Sequence, residues 1–591
     1  MCGIAGIALP QAGPAPDPGV LAAMGAALAH RGPDGGGQVI LGHTGLVHNR
    51  LAIIDLPGGA QPLCAGSAAL VANGEVYNFL ELRATLPGVR FATNSDCEPP
   101  LHLFAADPAG FAGRLRGMFA VAIADQAART LTLTRDPFGI KPLYWTRAGG
   151  GVAFASEPQA LLSAGLAARA VRPAARDELL QIQFTTGAET IFPGIQRVLP
   201  GETLTVSDGV ITGRNRIAAL PNARPEAIGE DSALARLDRA LMESVALHQR
   251  SDVPYGLFLS GGIDSAAILA AMARLNDRPV LAFTAGFDVA GAPDEREAAA
   301  ALAAAAGARH ETLCITRDMV WAELPRIVAC MDDPAADYAI IPTWFLARRA
   351  RQEVKVVLSG EGGDEIFGGY GRYRSAMRPW WQGGRAMRGR GTFDGLDILR
   401  APPVGWRDGL AAAGAQASGA GRTRLQIAQA SDVADWLPND LLTKLDRCLM
   451  AHGVEGRTPF LDPAVTEAGF LLPDGLKIRD GRGKYLLRTW LAGAMPTARP
   501  FAPKQGFTVP IGDWIAQDGA RLGPLVAAQP GIRELCQPAR VEWLFRNAGR
   551  KRHGTAAWML LFYALWHRTH ILACPPEGDI FEVLSERPPS V

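Results

Sequence analysis

The apolar positions change rhythm once along the chain. Through residue 205 or so they form short runs broken by Gly and Pro, as in "GLVHNRLAIID" (45–55), "AALVANGEVYN" (68–78), "GMFAVAIAD" (117–125) and "TLTLTRDPFG" (130–139). Apolar alternation closed by turn dipeptides predicts stacked antiparallel sheets. "PGETLTVSDGVITG" (200–213) continues as a last hairpin and runs into a Pro-containing linker. Beyond Asp231 the period shifts. "SALARLDRALMESVALHQRS" (232–251) has helical spacing, "PYGLFLS" (254–260) is a buried-type strand, and "AAILAAMARL" (266–275) is helical again. "PVLAFTAGF" (279–287), "EREAAAALAAAAGA" (295–308) and "VKVVLSG" (354–360) repeat that alternation, which predicts a parallel, doubly wound α/β sheet. The expected units are 1–205, a linker at 206–229, a second domain at 230–575 and a loose tail at 576–591. Residues 375–425, rich in Gly, Arg and Ala, suggest an irregular insertion, and no internal repeat is present. The apolar run from Ala556 to Trp566 is too short to span a bilayer and predicts a buried helix.

Composition narrows the function classes. At 591 residues several domains are expected. Lys+Arg 59 against Asp+Glu 58 gives a net charge of +1, so nothing favours nucleic acid or an acidic membrane as partner. The eight cysteines include no CxxC pair, which argues against a disulfide framework or structural zinc and suits a reducing cytoplasm. No secretory signal pattern opens the chain.

The first candidate chemistry is at the start, "MCGIAGI". If Met1 is removed, Cys2 carries both a thiol and a free α-amino group. Their ordinary pKa values, roughly 8.5 and 7.7–8.0, poise the pair to exchange a proton near neutrality. Four further stretches accompany it: "HRGPDG" (30–35), "HNRLAIID" (48–55), "NGEVYN" (73–78) and "SDCE" (95–98). Arg50 has a planar fork suited to a carboxylate, Asn73-Gly74 can offer two donors to an oxyanion, and Glu75 and Asp96 can hold an ammonium. Each residue also has an ordinary structural use, as ion pair, hairpin turn or cap. Pro99-Pro100 after "SDCE" fits the first turn of a helix.

Together and in this order the stretches resemble the class II glutamine amidotransferase domain. That resemblance implies an N-terminal-nucleophile αββα fold. It makes Cys2 the nucleophile, its α-amino group the base, and Asn73 with Gly74 the oxyanion hole. Arg50 with Leu51, Ala52, Ile53 and Ile54, and Asn73, Gly74, Glu75 and Asp96, would hold the glutamine.

The second candidate is "GLFLSGGIDSAAILAA" (256–271), a strand, a small-residue loop and a helix. Ser260, Gly261, Gly262, Asp264 and Ser265 would present N–H groups and hydroxyls at a helix N-terminus, a natural phosphate cradle. No GxxxxGK[ST] loop occurs anywhere in the chain. "VVLSGEGGDEIFGGYGRY" (356–373) adds an acidic, glycine-rich loop at a second strand end, with Glu361, Asp364 and Glu365. Asp264 and Asp364 are the candidates for Mg²⁺, which takes few carboxylates alongside phosphate oxygens. "DGRGKYLLR" (480–488) places Lys484 at a helix start, within reach of developing phosphate charge.

These elements resemble the ATP-pyrophosphatase-type synthetase domain of the glutamine-hydrolysing asparagine synthetases. The resemblance implies that Leu259, Ala285, Ser359 and Gly360 line the ATP pocket, and that Glu361 and Lys484 serve adenylation and amidation. Its substrates would be glutamine, aspartate and ATP, with asparagine, AMP and pyrophosphate as products and a homodimer as the assembly. Some relatives carry an Arg and a Ser-Thr-Pro run before the acidic loop, where this chain has Ala339-Ile340-Ile341-Pro342-Thr343. The acceptor therefore stays open between aspartate and another carboxylate. A β-lactam-synthetase-like cyclase is the third reading, and intact Cys2, Arg50 and Asp96 argue against it.

Overall fold

A computed structural model describes residues 2–289, 295–378, 381, 387–419, 421–502 and 509–587. Met1, part of the 375–425 stretch and the last four residues lie outside the described residues.

The N-terminal strands form two six-stranded sheets. One runs, edge to edge, Gln196–Arg197, Tyr144–Ala148, Gly151–Ala155, Cys2–Ala8, Thr44–Arg50, Gly35–Leu41. The other runs Val210–Arg216, Glu202–Ser207, Thr130–Arg135, Gly117–Asp125, Ala68–Val76, Leu63–Ala65. All neighbours are antiparallel, and the alternation seen in the sequence points one face of each sheet at the other. Ile4, Leu46, Val71, Ala122, Leu133 and Phe154 fill that interface. Helices Pro18–Ala27 and Pro158–Ser163 cover the outside of the first sheet through Leu21, Met24 and Leu161. Helix Glu98–Ala106 covers the second through Leu101 and Phe104, and Pro99 and Pro100 do occupy its first turn. This is the αββα arrangement.

The C-terminal part is built on a five-stranded, all-parallel sheet, ordered Arg309–Ile315, Leu281–Phe287, Tyr255–Phe258, Val356–Leu358, Glu455–Arg457. Helices Glu230–His248 and Ile263–Leu275 pack on one face, and Arg317–Ala329 and Ile340–Ala350 on the other. The first strand of this sheet, Tyr255–Phe258, lies between the second and the fourth. The order in which strands are added therefore reverses there, and a crevice opens outside the carboxyl ends of Tyr255–Phe258 and Val356–Leu358. Among the described residues no helix is long and apolar enough to cross a membrane. The run 556–566 lies inside helix Lys551–His570, where Trp558 and Trp566 are fully buried and donate to the Ala336 and Met331 carbonyls at 2.7 and 3.0 Å.

Two expectations need correction. Residues 375–425 are not simply irregular: their described part includes the end of helix Gly371–Met377, helix Asp408–Ala417, and a helix from Arg424 opened by a Thr423–Gln426 capping box. The described part of the tail, through residue 587, is not loose either. Asp579 and Glu582 cap a helix, Ile580–Ser585, whose Ile580, Phe581, Val583 and Leu584 are buried, and "CPPEG" just before it hides the short pattern.

Candidate active sites

Register brings the first constellation together. Strand Cys2–Ala8 pairs with Thr44–Arg50 so that Cys2 stands directly opposite Arg50. The Cys2 backbone N–H donates to Asn73 Oδ1 at 3.1 Å, while Asn73 Nδ2 is buried with no hydrogen-bond partner among the described residues. Gly74 holds φ +151°, and a Cβ there would sit 2.0 Å from the Met118 carbonyl oxygen, so only glycine fits. Arg50 donates to the carbonyls of Ile54, Asp55 and Leu56 at 3.3, 2.7 and 2.9 Å, which curls the following loop into a wall. Leu51, Ile53, Ile54, Gly74, Glu75 and Asp96 line the resulting cleft with Cys2 and Arg50. Ala52 is not among the lining residues; its N–H is tied instead to Asp34 at 2.9 Å. Asp96 accepts the Val76 N–H at 2.8 Å.

The cleft is electrostatically tense. Burial pushes the Cys2 thiol above its ordinary value. Burial, then Asp96 and Glu455, push Glu75 well up, with the Arg457 guanidinium pulling the other way. Burial also raises Asp96. Sequence reasoning missed several members: Gly59, Gln61, Ser95 and Cys97 line the cleft. Arg31, within "HRGPDG", is fully buried and donates through Nε to the Cys2 carbonyl at 3.1 Å. Its Nη atoms reach Glu157 at 2.7 Å and Asp446 at 2.8 and 3.1 Å, so it fixes the Cys2 backbone against a helix of the second domain.

The second constellation forms at the sheet crevice. Ser260 to Gly262 turn out of the first parallel strand into helix Ile263–Leu275, whose N-terminus has no side-chain cap. Ser260 Oγ and Ser265 Oγ are 3.0 Å apart and brace the turn. Lys484, 6% exposed, occupies a left-handed conformation (φ 58°) at the start of helix Tyr485–Ala494. Its Nζ lies 2.5 Å from Asp264 and 2.6 Å from Asp364, joining the two loops. Burial works against the ammonium, but the two carboxylates outweigh it and raise the lysine above its ordinary value. A Cβ on Gly369 would lie 1.8 Å from Asp364 Oδ1 and 2.2 Å from Lys484 Cε, so the lysine reaches its partners only over a glycine. Leu259, just past the end of strand Tyr255–Phe258, and Ala285, on the neighbouring strand, are buried, and Ser359 and Gly360 begin the acidic loop. Glu361 is raised by burial and lies 3.8 Å from Lys444, which itself pairs with Asp337 at 3.0 Å. Lys444 and Asp337 were absent from the sequence-derived set, since only the fold brings them beside the acidic loop.

A family model described as asparagine synthase matches residues 236–568, and one described as glutamine amidotransferase domain matches residues 1–216. A putative glutamine-hydrolysing asparagine synthetase of Mycobacterium tuberculosis is 35% identical, covering 96% of this chain and 97% of that protein. The glutamine-hydrolysing asparagine synthetase 1 of Bacillus subtilis is 32% identical, covering 97% of each. The chain belongs to the glutamine-hydrolysing asparagine synthetase family.

In this asparagine synthetase family member the two constellations share a strand. Glu455–Arg457 is the edge of the parallel sheet, and its Arg457 carbonyl accepts the Ser359 N–H at 2.8 Å. From the same strand, Arg457 Nη2 reaches to 3.5 Å from Glu75 Oε1 in the first cleft. Burial opposes charge on Glu455, but the positive chain terminus and Arg457 hold its carboxyl down at about 2. The sequence carries these residues in "VEGRTPFLD" (454–462), a stretch to which no reactive role was attached.

Proposed function

We propose that the protein is a glutamine-dependent asparagine synthetase with a glutaminase site at Cys2 and an ATP site at the 260–265 loop. The observation that carries this reading is the buried Lys484, joining Asp264 and Asp364, in the same chain as the Cys2–Asn73–Gly74 cluster. At the first site the Cys2 α-amino group, freed by loss of Met1, takes the thiol proton. The sulfur attacks the glutamine carboxamide, and the oxyanion is met by the Gly74 N–H and by Asn73 Nδ2, a buried donor with no other partner among the described residues. Ammonia leaves, and water releases glutamate from the thioester. Arg50 holds the substrate's carboxylate end, and Glu75 and Asp96 its ammonium. Leu51, Ile53 and Ile54 close the side.

At the second site the β-carboxylate of aspartate attacks the α-phosphorus of ATP, and pyrophosphate departs into the cradle of Ser260, Gly261, Gly262 and Ser265. Leu259, Ala285, Ser359 and Gly360 surround the nucleotide. Lys484 neutralises charge growing on the leaving group. Asp264 and Asp364, which meet at the Lys484 ammonium, would hold Mg²⁺ alongside the phosphate oxygens of ATP, where the ion would shield phosphate charge. Ammonia from the first site then displaces AMP from the acyl-adenylate, and Glu361 accepts the surplus proton, a task suited to a carboxyl whose pKa is raised by burial. Lys444 supplies a cation beside Glu361 where the 339–343 segment lacks the arginine of some relatives. With Asp337 it makes a wall of both charges, which suits a zwitterionic acceptor. The reading includes the domain division at 205 and 230, a homodimeric assembly and a cytoplasmic setting. Resemblance supports the assembly, and eight unpaired cysteines suit the setting.

The test is to supply glutamine, ATP, Mg²⁺ and aspartate and to measure asparagine, AMP and pyrophosphate, which should appear in equal amounts. AMP release indifferent to aspartate but responsive to another acid would overturn the acceptor assignment. Cys2→Ala should end glutamine-dependent synthesis and leave ammonia-dependent synthesis intact. Loss of both contradicts two separate sites.

A further inference from the structure

We infer that Arg457, carried by the synthetase sheet, is a positioning residue of the glutamine pocket: it is the counter-cation that keeps Glu75 ready to receive the substrate's ammonium group. The inference rests on the proposed glutaminase reading and extends it to a residue of the other domain.

Arg457 is fully buried and held from several sides. Its Nε donates to Glu455 Oε1 at 2.6 Å, and its Nη1 donates to the carbonyls of His248 and Arg250 at 2.8 and 2.7 Å. The guanidinium carbon lies 5.5 Å from the centre of the Tyr77 ring. Its backbone is tied into the sheet through the Ser359 N–H. That leaves Nη2, which is buried, makes no hydrogen bond among the described residues and points to Glu75 at 3.5 Å. Glu75 Oε2 is likewise buried without a hydrogen-bond partner among the described residues. A guanidinium clamped on three atoms cannot swing away, so its remaining edge is committed to the pocket.

Charge bookkeeping explains the need. The groups bearing on Glu75 are Asp96 on the neighbouring loop, Glu455 and Arg457 on the synthetase strand, and the chain's amino terminus. Tyr77, Cys2 and Cys97, also close by, are neutral groups whose pKa values burial pushes up. With the α-amino group of Cys2 neutral as the base, three carboxylates face the Arg457 guanidinium, and glutamine's ammonium brings the next positive charge. Burial and the two neighbouring carboxylates already push Glu75 up, and Arg457 is the guanidinium that opposes them; without it Glu75 shifts further towards the protonated form, a poor acceptor for a cation. The second domain thereby completes the substrate site of the first.

The experiment compares the full-length protein with Arg457→Met, Arg457→Lys and Glu75→Gln, alone and combined, by glutamine hydrolysis between about pH 6 and 9. Ammonia-dependent synthesis serves as the control. Arg457→Met should raise the KM for glutamine about tenfold or more near neutrality, and the defect should shrink as pH rises and Glu75 ionises unaided. Arg457→Lys should fall between it and the parent. In the Glu75→Gln background the Arg457→Met change should add little, since an amide needs no counter-cation. A KM defect that is independent of pH, or additive with Glu75→Gln, overturns the inference, as does a matching fall in ammonia-dependent synthesis. Should Arg457→Met not fold, the Arg457→Lys pH profile decides by the same criteria. Parent protein that hydrolyses no glutamine at all would instead refute the glutaminase reading itself.

Discussion

Asn73→Ala tests the oxyanion assignment most directly. The Asn73 side chain is fully buried, with Oδ1 engaged by the Cys2 N–H and Nδ2 free of any hydrogen bond among the described residues. A buried N–H without a partner costs on the order of 1–3 kcal/mol, a cost that a developing oxyanion relieves only in the transition state. Removing one such donor lowers turnover by about 10²–10³, or roughly 2.7–4 kcal/mol of barrier. The lost contact to the Cys2 N–H adds a smaller penalty, and the rigid strand pairing of Cys2 with Arg50 limits any drift of the thiol. Steady-state glutaminase kinetics should therefore show kcat down by about two to three decades with the KM for glutamine nearly unchanged. Ammonia-dependent synthesis should match the parent and report an intact fold. A fall in kcat of less than about tenfold with that control intact would refute Asn73 as an oxyanion donor.

Two further outcomes follow from the synthetase site. Gly369→Ala forces a methyl into space held by Asp364 Oδ1 and Lys484 Cε. ATP-dependent AMP formation should fall by about 10²-fold, since displacements near 1 Å carry that cost. Glutaminase activity should be unaffected, and a parallel loss of both would mean general unfolding. Glu365, pushed up to about 8 by burial and by Asp364 while accepting the Tyr370 hydroxyl at 2.8 Å, gives a pH test. Its native pKa exceeds the unfolded value of about 4.3, so its stabilising share is complete below that value and declines as pH rises towards 8. Thermal unfolding should show the parent losing stability relative to Glu365→Gln across that window, and a constant difference would contradict the assignment.

Much of the architecture was legible because it rests on local periodicity. Alternating runs such as 117–125 and 130–135 became antiparallel strands, and the strand–loop–helix of 255–275 announced a parallel sheet. Cys2, Asn73-Gly74 and the Ser260–Ser265 loop were legible for a related reason: each places its chemistry within a few adjacent residues. Short amphipathic pieces were not, as the capped helix Ile580–Ser585 shows, because four buried apolar residues behind two prolines give too little pattern.

What the sequence by itself determined is the rhythm of strands and helices and the two compact reactive stretches, since backbone propensity and burial periodicity act over a few residues. Tertiary structure alone decided the rest. It turned Ala52 towards Asp34, set Arg31 beneath the Cys2 carbonyl, and laid Lys484 across two loops more than a hundred residues away. It also carried Arg457 to Glu75, a pairing between the two parts of the chain. Such contacts depend on how sheets stack and which edges meet. Electrostatic attraction in a buried site acts across space, and sequence separation leaves no periodic trace of it.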